Sequence, residues 1–230
     1  MSGVRILHVD DEPDIREIVD ISLGLNPDFE VRACSSGTEA VAAATDWSPF
    51  LILLDVMMSG MDGPATLALL HGNPQTSTIP VLFMTARAQT REVEHLITLG
   101  AQGVISKPFD PMTLASLVRS HLQAIPLSTL RVIFAQRAKT DAALLKPYCS
   151  RLAENLDAAS VGRVRQIAES LAGAADLVGD GDIAKAADAV VQAAGAAHDG
   201  ADAPPELGHA LAHLVVRLDN DWTELSTAVV

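Results

Sequence analysis

The first half of the chain alternates short apolar runs with amphipathic segments. The apolar runs are rich in Val, Ile, Leu and Phe, and they cover 4–9, 29–34, 50–54, 81–84 and 103–105. Several of them are apolar at consecutive positions, as is typical of parallel strands that helices cover on both faces. The segments that follow the runs fit helices over 13–25, 37–46, 64–72, 89–99 and 111–123. The pattern therefore predicts an α/β domain built on a doubly wound, five-stranded parallel sheet.

A different pattern begins after residue 125. Strand-like runs stop, and Ala, Leu and Asp dominate at helical spacing. Helix breaks are predicted at Pro147, Ala159-Ser160, Gly179-Asp180-Gly181 and Ala203-Pro204-Pro205. Near these breaks, Ser160 and either Asp180 or Asp182 can cap a helix, and Pro204 or Pro205 suits a first helical turn. We therefore expect two domains, an α/β domain over 1–125 and an all-α domain over 126–230.

The composition narrows the classes of partner. Of 230 residues, 49% are hydrophobic and 20% are charged, which is enough apolar side chain for two buried cores. Up to residue 125 there are 7 Lys and Arg against 15 Asp and Glu (−8), and beyond it 9 against 14 (−5), for a total of −13. Because neither part is basic, we expect no nucleic-acid partner and no binding to anionic membrane surfaces.

The sequence also bears on location and redox state. No apolar run approaches the roughly 20 residues that span a bilayer, and the N-terminus lacks the features of a secretion signal. We therefore expect a cytoplasmic protein. Cys34 and Cys149 are far apart and lack metal-ligand spacing, so we expect two reduced thiols.

Chemically active side chains follow four of the predicted strands. Asp10 and Asp11 follow the first strand, Asp55 the third, Thr85 the fourth and Lys107 the fifth. Ligands of open parallel sheets bind beyond these carboxyl ends. Crowded carboxylates repel each other, and a hard cation such as Mg²⁺ relieves that repulsion. Such a cation would also let a phosphoryl group approach a carboxylate, so the pattern indicates a phosphorylatable aspartate.

Each of these residues also has an ordinary structural interpretation. Asp10 and Asp11 could cap the helix that begins near Pro13, Asp55 could be a turn residue, and Lys107 could be a solvated surface charge. Their joint occurrence at four strand ends favours a functional site.

Four stretches with these residues resemble the motifs of a response-regulator receiver domain. They are Asp10-Asp11, the segment 55–63, Met84-Thr85-Ala86 and Lys107-Pro108-Phe109, and the 22-residue step from Thr85 to Lys107 also fits. The resemblance extends over residues 4–123 and implies the strand order 2-1-3-4-5.

The resemblance also implies a role for each site residue. Asp55 would be the phosphoacceptor, and Mg²⁺ would be bound by Asp10, Asp11, Asp55 and the backbone carbonyl of Met57. Thr85 and Lys107 would contact the phosphoryl group. Such a receiver catalyses its own phosphorylation and dephosphorylation, and we expect no separate enzymatic output domain.

Two positions depart from the family pattern. Receivers usually have Pro where this chain has Ser59, and an aromatic residue where it has Val104. Val104 is therefore the switch position, and the usual coupling of Thr85 movement to burial of an aromatic ring cannot operate in its usual form.

A second resemblance lies in the helical part. Apolar residues recur at three- and four-residue steps and predict one buried helix stripe, formed by Val164, Ile167, Leu171, Ala174 and Val178. Glu169 should face solvent on the opposite side, with Arg165, Ala172 and Asp176. The segment 168–175 is similar to histidine-phosphotransfer domains, which are four-helix bundles.

In that family the position of Glu169 is a phosphorylated histidine, and the position of Ala172 is a lysine. A carboxylate has no nitrogen nucleophile, so we expect a degenerate phosphotransfer-like domain without relay chemistry. Glu169 is either a solvated charge that Arg165, four residues earlier, can pair with, or a partner contact. His209 and His213 are expected to be ordinary histidines, and His8 a core or rim residue.

The sequence thus predicts a two-component response regulator whose helical output acts by protein–protein interaction. Its partners would be a sensor histidine kinase or phosphotransfer protein and an unknown downstream protein. Two alternatives remain open: a phosphorelay transferase that passes phosphate through the helical domain, or a helical domain that acts as a dimerisation module and makes a homodimer.

Overall fold

The computed structural model describes residues 4–87, 89–151, 156–196 and 205–220. The strands are β1 (Val4–Val9), β2 (Phe29–Cys34), β3 (Leu51–Asp55), β4 (Val81–Thr85) and β5 (Gly103–Ser106). The helices that follow them in turn are α1 (Pro13–Gly24), α2 (Gly37–Trp47), α3 (Gly63–Gly72), α4 (Thr90–Thr98) and α5 (Pro111–Ala124). Four more helices complete the described chain, α6 (Leu127–Arg151), α7 (Ala158–Val178), α8 (Gly181–Gly195) and α9 (Pro205–Asn220).

The five strands form one parallel sheet in the order β2-β1-β3-β4-β5. The predicted fold class and strand order are therefore confirmed. Every residue of β1, β3 and β4 is buried, as the continuous apolar runs predicted for central strands. β3 and β4 each extend one residue beyond the predicted apolar run, so that Asp55 and Thr85 are the last residues of their strands.

The loops at the carboxyl ends of the strands lead into helices with defined starts. Ser36, Asp62 and Asp110 are the N-cap residues of α2, α3 and α5, and each side chain accepts a backbone N–H of the first turn. Helix α1 differs, because its N-cap is Glu12 and no side chain caps it. The alternative that Asp10 or Asp11 serves as its N-cap residue is therefore wrong.

The chain divides into two compact units inside α6, between Ile133 and Phe134. The expected domain boundary, after residue 125, precedes this division. Ile125 is buried, and Pro126 directly precedes α6, where a missing N–H costs nothing.

The second unit contains only helices in its described part, and α7 and α8 pack against each other, as do α8 and α9. The predicted break at Pro147 is wrong, because this residue lies inside α6. Burial of Ala138, Ala142 and Leu145 holds the helix up to the proline despite the missing hydrogen bond. Pro205 is the first residue of α9, as expected, whereas Pro204 lies outside the described residues.

The caps of α7 and α8 test two further predictions. Asp157 is the N-cap of α7 and accepts the N–H of Ser160, so the prediction of Ser160 as the cap is wrong. Asp180 caps α8, which selects it over Asp182. Ser160 and Asp157 are both good capping residues, and the helix begins one turn earlier than the sequence pattern suggested.

Both cysteines are free, as expected; Cys34 is buried and Cys149 is half-buried. Within the described ranges, no helix is both long and apolar enough to cross a bilayer.

Candidate functional site

Three carboxylates meet at the carboxyl edge of the sheet. Asp10 and Asp11 directly follow β1, and Asp55 ends the neighbouring strand β3. One carboxylate oxygen from each lies within 4.8 Å of the other two. Asp10 and Asp55 are buried, whereas Asp11 is half-exposed. The expected convergence of these side chains is confirmed, and they form the acidic cluster of the site.

Lys107 supplies a positive charge inside the acidic cluster. Its Nζ donates to Oδ2 of Asp10 at 2.6 Å and to Oδ1 of Asp55 at 2.9 Å. Burial lowers the pKa of Lys107, but the hydrogen bonds and charges of the two carboxylates more than offset it, so the pKa is raised. The interpretation of Lys107 as a solvated surface charge is therefore wrong.

Asp55 is held in an environment that resists its ionisation. Burial raises its pKa, and the hydrogen bond and charge of Lys107 only partly offset that effect. The backbone N–H of Met57 also stabilises the carboxylate, while the Met57 side chain is largely exposed. Asp55 is thus a partly desolvated carboxylate beside an ammonium, an arrangement suited to attack on an electrophile. The role of the Met57 carbonyl as a metal ligand stays a prediction.

Asp11 is held by the loop that follows β3. The backbone N–H of Ser59 donates to Asp11 Oδ2 at 2.8 Å. This bond and a second one from the Ser59 hydroxyl lower the pKa of Asp11. A proline at position 59 would lack the N–H. Ser59 departs from the family pattern, but its contact with Asp11 depends on the path of the loop, which the sequence does not reveal.

Thr85 ends β4, which lies next to the Asp55 strand β3, and Val104 lies on β5, which lies next to β4. The Thr85 hydroxyl accepts the backbone N–H of Arg87 at 3.0 Å, and the Thr85 carbonyl accepts the N–H of Lys107 at 2.7 Å. Thr85 therefore helps to place the lysine. Val104 pairs with Phe83 in the sheet and packs, half-buried, against the core.

His8 is a buried polar residue beside the acidic cluster. It lies on β1, two residues before Asp10, and is fully buried, in agreement with a core position. Among the described residues, neither ring nitrogen has a hydrogen-bond partner. Nε2 lies 3.9 Å from Asp10 Oδ2, and burial lowers the pKa of His8 to about 4. A polar residue inside an otherwise apolar strand was the available signal.

Glu169 lies on α7 in the second unit. Its side chain is 37% exposed, and its Oε1 accepts a hydrogen bond from Nε of Arg165 at 2.7 Å. The predicted buried stripe of α7 is confirmed. The predicted solvent face is wrong at Ala172, which is buried because α7 is covered over a wider arc than one stripe.

A buried polar network next to Glu169 was missed. Arg137 on α6 is fully buried; its Nε pairs with Asp141 at 3.2 Å, and its Nη2 donates to the Ser170 hydroxyl at 2.6 Å. Its residues look like ordinary helix positions in the sequence, so no pattern could reveal it.

His209 and His213 are exposed on α9, and the described residues contain no group of three metal-ligating side chains that includes them.

Comparison with known proteins agrees with this geometry. A family model described as response regulator receiver domain matches residues 6–119. The response regulator Rre1 of Synechocystis is 36% identical over 119 residues, which are 52% of this chain and 52% of that protein. The DNA-binding response regulator MtrA of Mycobacterium tuberculosis is 34% identical over 119 residues, 52% of this chain and 50% of MtrA. The chain thus spans about half the length of these curated relatives.

A solved structure also matches the same region. The chemotaxis protein CheY4 of Vibrio cholerae is 28% identical, with a TM-score of 0.49, and the match covers 52% of this chain and 98% of that one. No family model supports the phosphotransfer-like assignment of 126–230, so that assignment stays a prediction.

Proposed function

Residues 6–119 form a response regulator receiver domain, and we propose from this premise that the chain is a two-component response regulator phosphorylated at Asp55. Its phosphoryl donor is a sensor histidine kinase or a phosphotransfer protein. Its output is the helical unit, which acts by binding another protein in the cytoplasm. The chain acts without a separate enzymatic output domain.

The observation that carries the proposal is the acidic cluster with its internal lysine. Three carboxylates share one edge of the sheet, and one ammonium neutralises only part of their charge. All the side-chain donors are oxygens, which suits Mg²⁺, and the half-exposed Asp11 leaves the cluster open on one side. Asp10, Asp11 and Asp55 would hold the ion, together with the carbonyl of Met57. When bound, Mg²⁺ supplies positive charge next to the incoming phosphoryl oxygens.

Asp55 would act as the nucleophile. An Asp55 carboxylate oxygen attacks phosphorus, the P–N bond of the donor's phosphohistidine breaks, and the imidazole nitrogen leaves with the bonding electron pair. Lys107 already lies 2.9 Å from Asp55 Oδ1, so its ammonium can follow the developing charge without a large movement. In dephosphorylation, water attacks the same phosphorus, the P–O bond to Asp55 breaks, and the Asp55 carboxylate, inorganic phosphate and a proton to solvent are released.

The signal would leave the site through Thr85. In the unphosphorylated structure its hydroxyl is bonded to the backbone of Arg87, and we propose that phosphorylation draws it towards the phosphoryl group. Val104 is smaller than an aromatic ring and already packs against the core. The conformational change caused by phosphorylation would therefore pass through the loop between β4 and α4 to the surface that binds a partner. It would not require rotation of a ring at position 104.

For the helical unit, we propose binding to a protein partner rather than phosphate relay. In the predicted resemblance, Glu169 occupies the position of the phosphorylated histidine in histidine-phosphotransfer domains. Its carboxylate forms an ion pair with Arg165. Its carboxylate cannot accept phosphate as an imidazole does. Both parts of the chain carry net negative charge, which supports a protein partner over nucleic acid. MtrA's description as DNA-binding applies to that protein.

The test is labelling of the full chain with acetyl phosphate, read by intact mass. Wild-type protein with Mg²⁺ should gain one phosphoryl group, and Asp55→Asn should gain none. The matched control is Asp62→Asn, seven residues further along, because Asp62 is an N-cap and Asn caps a helix equally well. Labelling of Asp55→Asn at the wild-type level would refute the proposal.

A further inference from the structure

The strand β1 contains one polar side chain whose burial is not compensated. His8 is 0% exposed, and no hydrogen bond to Nδ1 or Nε2 is found within the part of the chain that the structure describes. The backbone of His8 is used by the sheet, where it lies opposite Ala33 and Leu53. A buried polar group without a partner is unfavourable, and an aliphatic residue would avoid that cost. We therefore expect His8 to gain a hydrogen-bond partner in another state of the protein.

The direction of the ring identifies that partner. Residues two apart on a strand face the same side, which places the His8 ring beside the Asp10 carboxylate. Nε2 lies 3.9 Å from Asp10 Oδ2, which is slightly beyond hydrogen-bond distance. An imidazole ring carries at least one N–H, so His8 can donate a hydrogen bond to this carboxylate.

The Asp10 carboxylate is currently held by two other donors. Its Oδ1 accepts the N–H of Glu12 at 2.9 Å, and its Oδ2 accepts Lys107 Nζ at 2.6 Å. A cation that enters the acidic cluster repels the Lys107 ammonium, so Oδ2 of Asp10 loses this donor. A buried carboxylate that binds a cation needs hydrogen bonds that fix its orientation.

We infer that His8 is a positioning residue for Asp10, which donates from Nε2 to Oδ2 once Lys107 leaves that oxygen and so keeps the carboxylate directed at the cation. His8 itself is not a metal ligand, because its nitrogens do not belong to the group of ligand atoms that lie within 4.8 Å of one another. The inference rests on the proposed function, since it requires a cation in the acidic cluster.

The experiment is calorimetric titration of the full chain with Mg²⁺ at pH 7, with the melting temperature in EDTA as a second readout. His8→Leu should weaken Mg²⁺ binding about tenfold, since loss of a hydrogen bond behind a metal ligand typically has that effect. It should leave the melting temperature in EDTA unchanged or higher, because it removes an unpartnered buried polar group. His8→Gln should recover part of the affinity, because its amide can donate.

The matched control is Ile6→Val, which lies on the same face of β1, two residues before His8, and is equally buried. It should lower the melting temperature and leave the Mg²⁺ affinity unchanged. Wild-type Mg²⁺ affinity in His8→Leu would overturn the inference alone. A folded His8→Gln variant whose Mg²⁺ affinity is no higher than that of His8→Leu would do the same. Absence of Mg²⁺ binding in the wild-type protein would overturn the proposed function with it.

Discussion

Lys107 and Asp10 form a short ion pair, with Nζ 2.6 Å from Oδ2, inside a cluster that has three carboxylates and one ammonium. The ammonium therefore lies where a divalent cation would be attracted. Binding of a cation there requires that Lys107 gives up part of its contact with Asp10. The same movement would bring Lys107 to a phosphoryl group on Asp55, its second partner.

Replacement of Lys107 by Ala should reveal this competition. Without the ammonium, the acidic cluster has no counter-charge, so the variant should be about 3–5 kcal/mol less stable in EDTA. Added Mg²⁺ should raise its melting temperature more than that of the wild-type protein. The control is Lys146→Ala, which breaks the exposed pair with Asp219 and should cost less than about 1 kcal/mol. A Lys107→Ala variant that Mg²⁺ stabilises no more than the wild type would contradict this competition.

The hydrogen bond between Ser59 and Asp11 should affect how the free energy of unfolding falls at acid pH. The pKa of Asp11 is lowered in the folded state, mainly by the Ser59 N–H. Its contribution is therefore present above the ordinary value of 3.8 and is lost as pH falls through the folded value. Ser59→Pro removes the N–H and should flatten the loss of stability below pH 4.

Ser59→Ala keeps the N–H and removes only the hydroxyl, so its urea midpoint should follow the wild-type pH dependence more closely. The urea midpoints of Ser59→Pro and the wild-type protein are compared from pH 5 to 2.5. The same pH dependence in both would show that the bond does not hold Asp11 in solution.

The buried network of the helical unit should be important for its stability. Ser170→Ala removes an acceptor from the buried guanidinium of Arg137, which should cost about 1–3 kcal/mol in chemical denaturation. Ser120→Ala is the control, because that exposed hydroxyl donates to the carbonyl of Leu117 in its own helix. It should change stability by less than about 0.5 kcal/mol. Equal destabilisation by the two substitutions would argue against the network.

The chemistry of the bound phosphate should separate an aspartyl phosphate from a relay. After incubation with a phosphorylated histidine kinase, all label on the full chain should be lost in mild alkali, as an acyl phosphate is. Label that survives alkali but is lost in acid would be phosphohistidine and would favour the phosphorelay alternative. In that case His209→Ala and His213→Ala would locate it.

The parts that the sequence predicted share a simple physical origin. Parallel strands end at one edge, so residues after apolar runs had to converge, and Asp10, Asp55 and Lys107 do. What the sequence did not reveal depends on tertiary packing. The path of a loop sets the Ser59 contact, and coverage of α7 on more than one side buries Ala172. Pro147 is tolerated because burial holds the helix around it.

The most direct test of the central claim is chemical mapping of the phosphorylated residue. The protein is treated with acetyl phosphate and reduced with borohydride, which converts a phosphorylated aspartate to homoserine, and its peptides are sequenced by mass spectrometry. We expect homoserine at position 55 when the reaction contains Mg²⁺ and none when it contains EDTA. Homoserine at another carboxylate, or at position 55 to the same extent in EDTA, would contradict it.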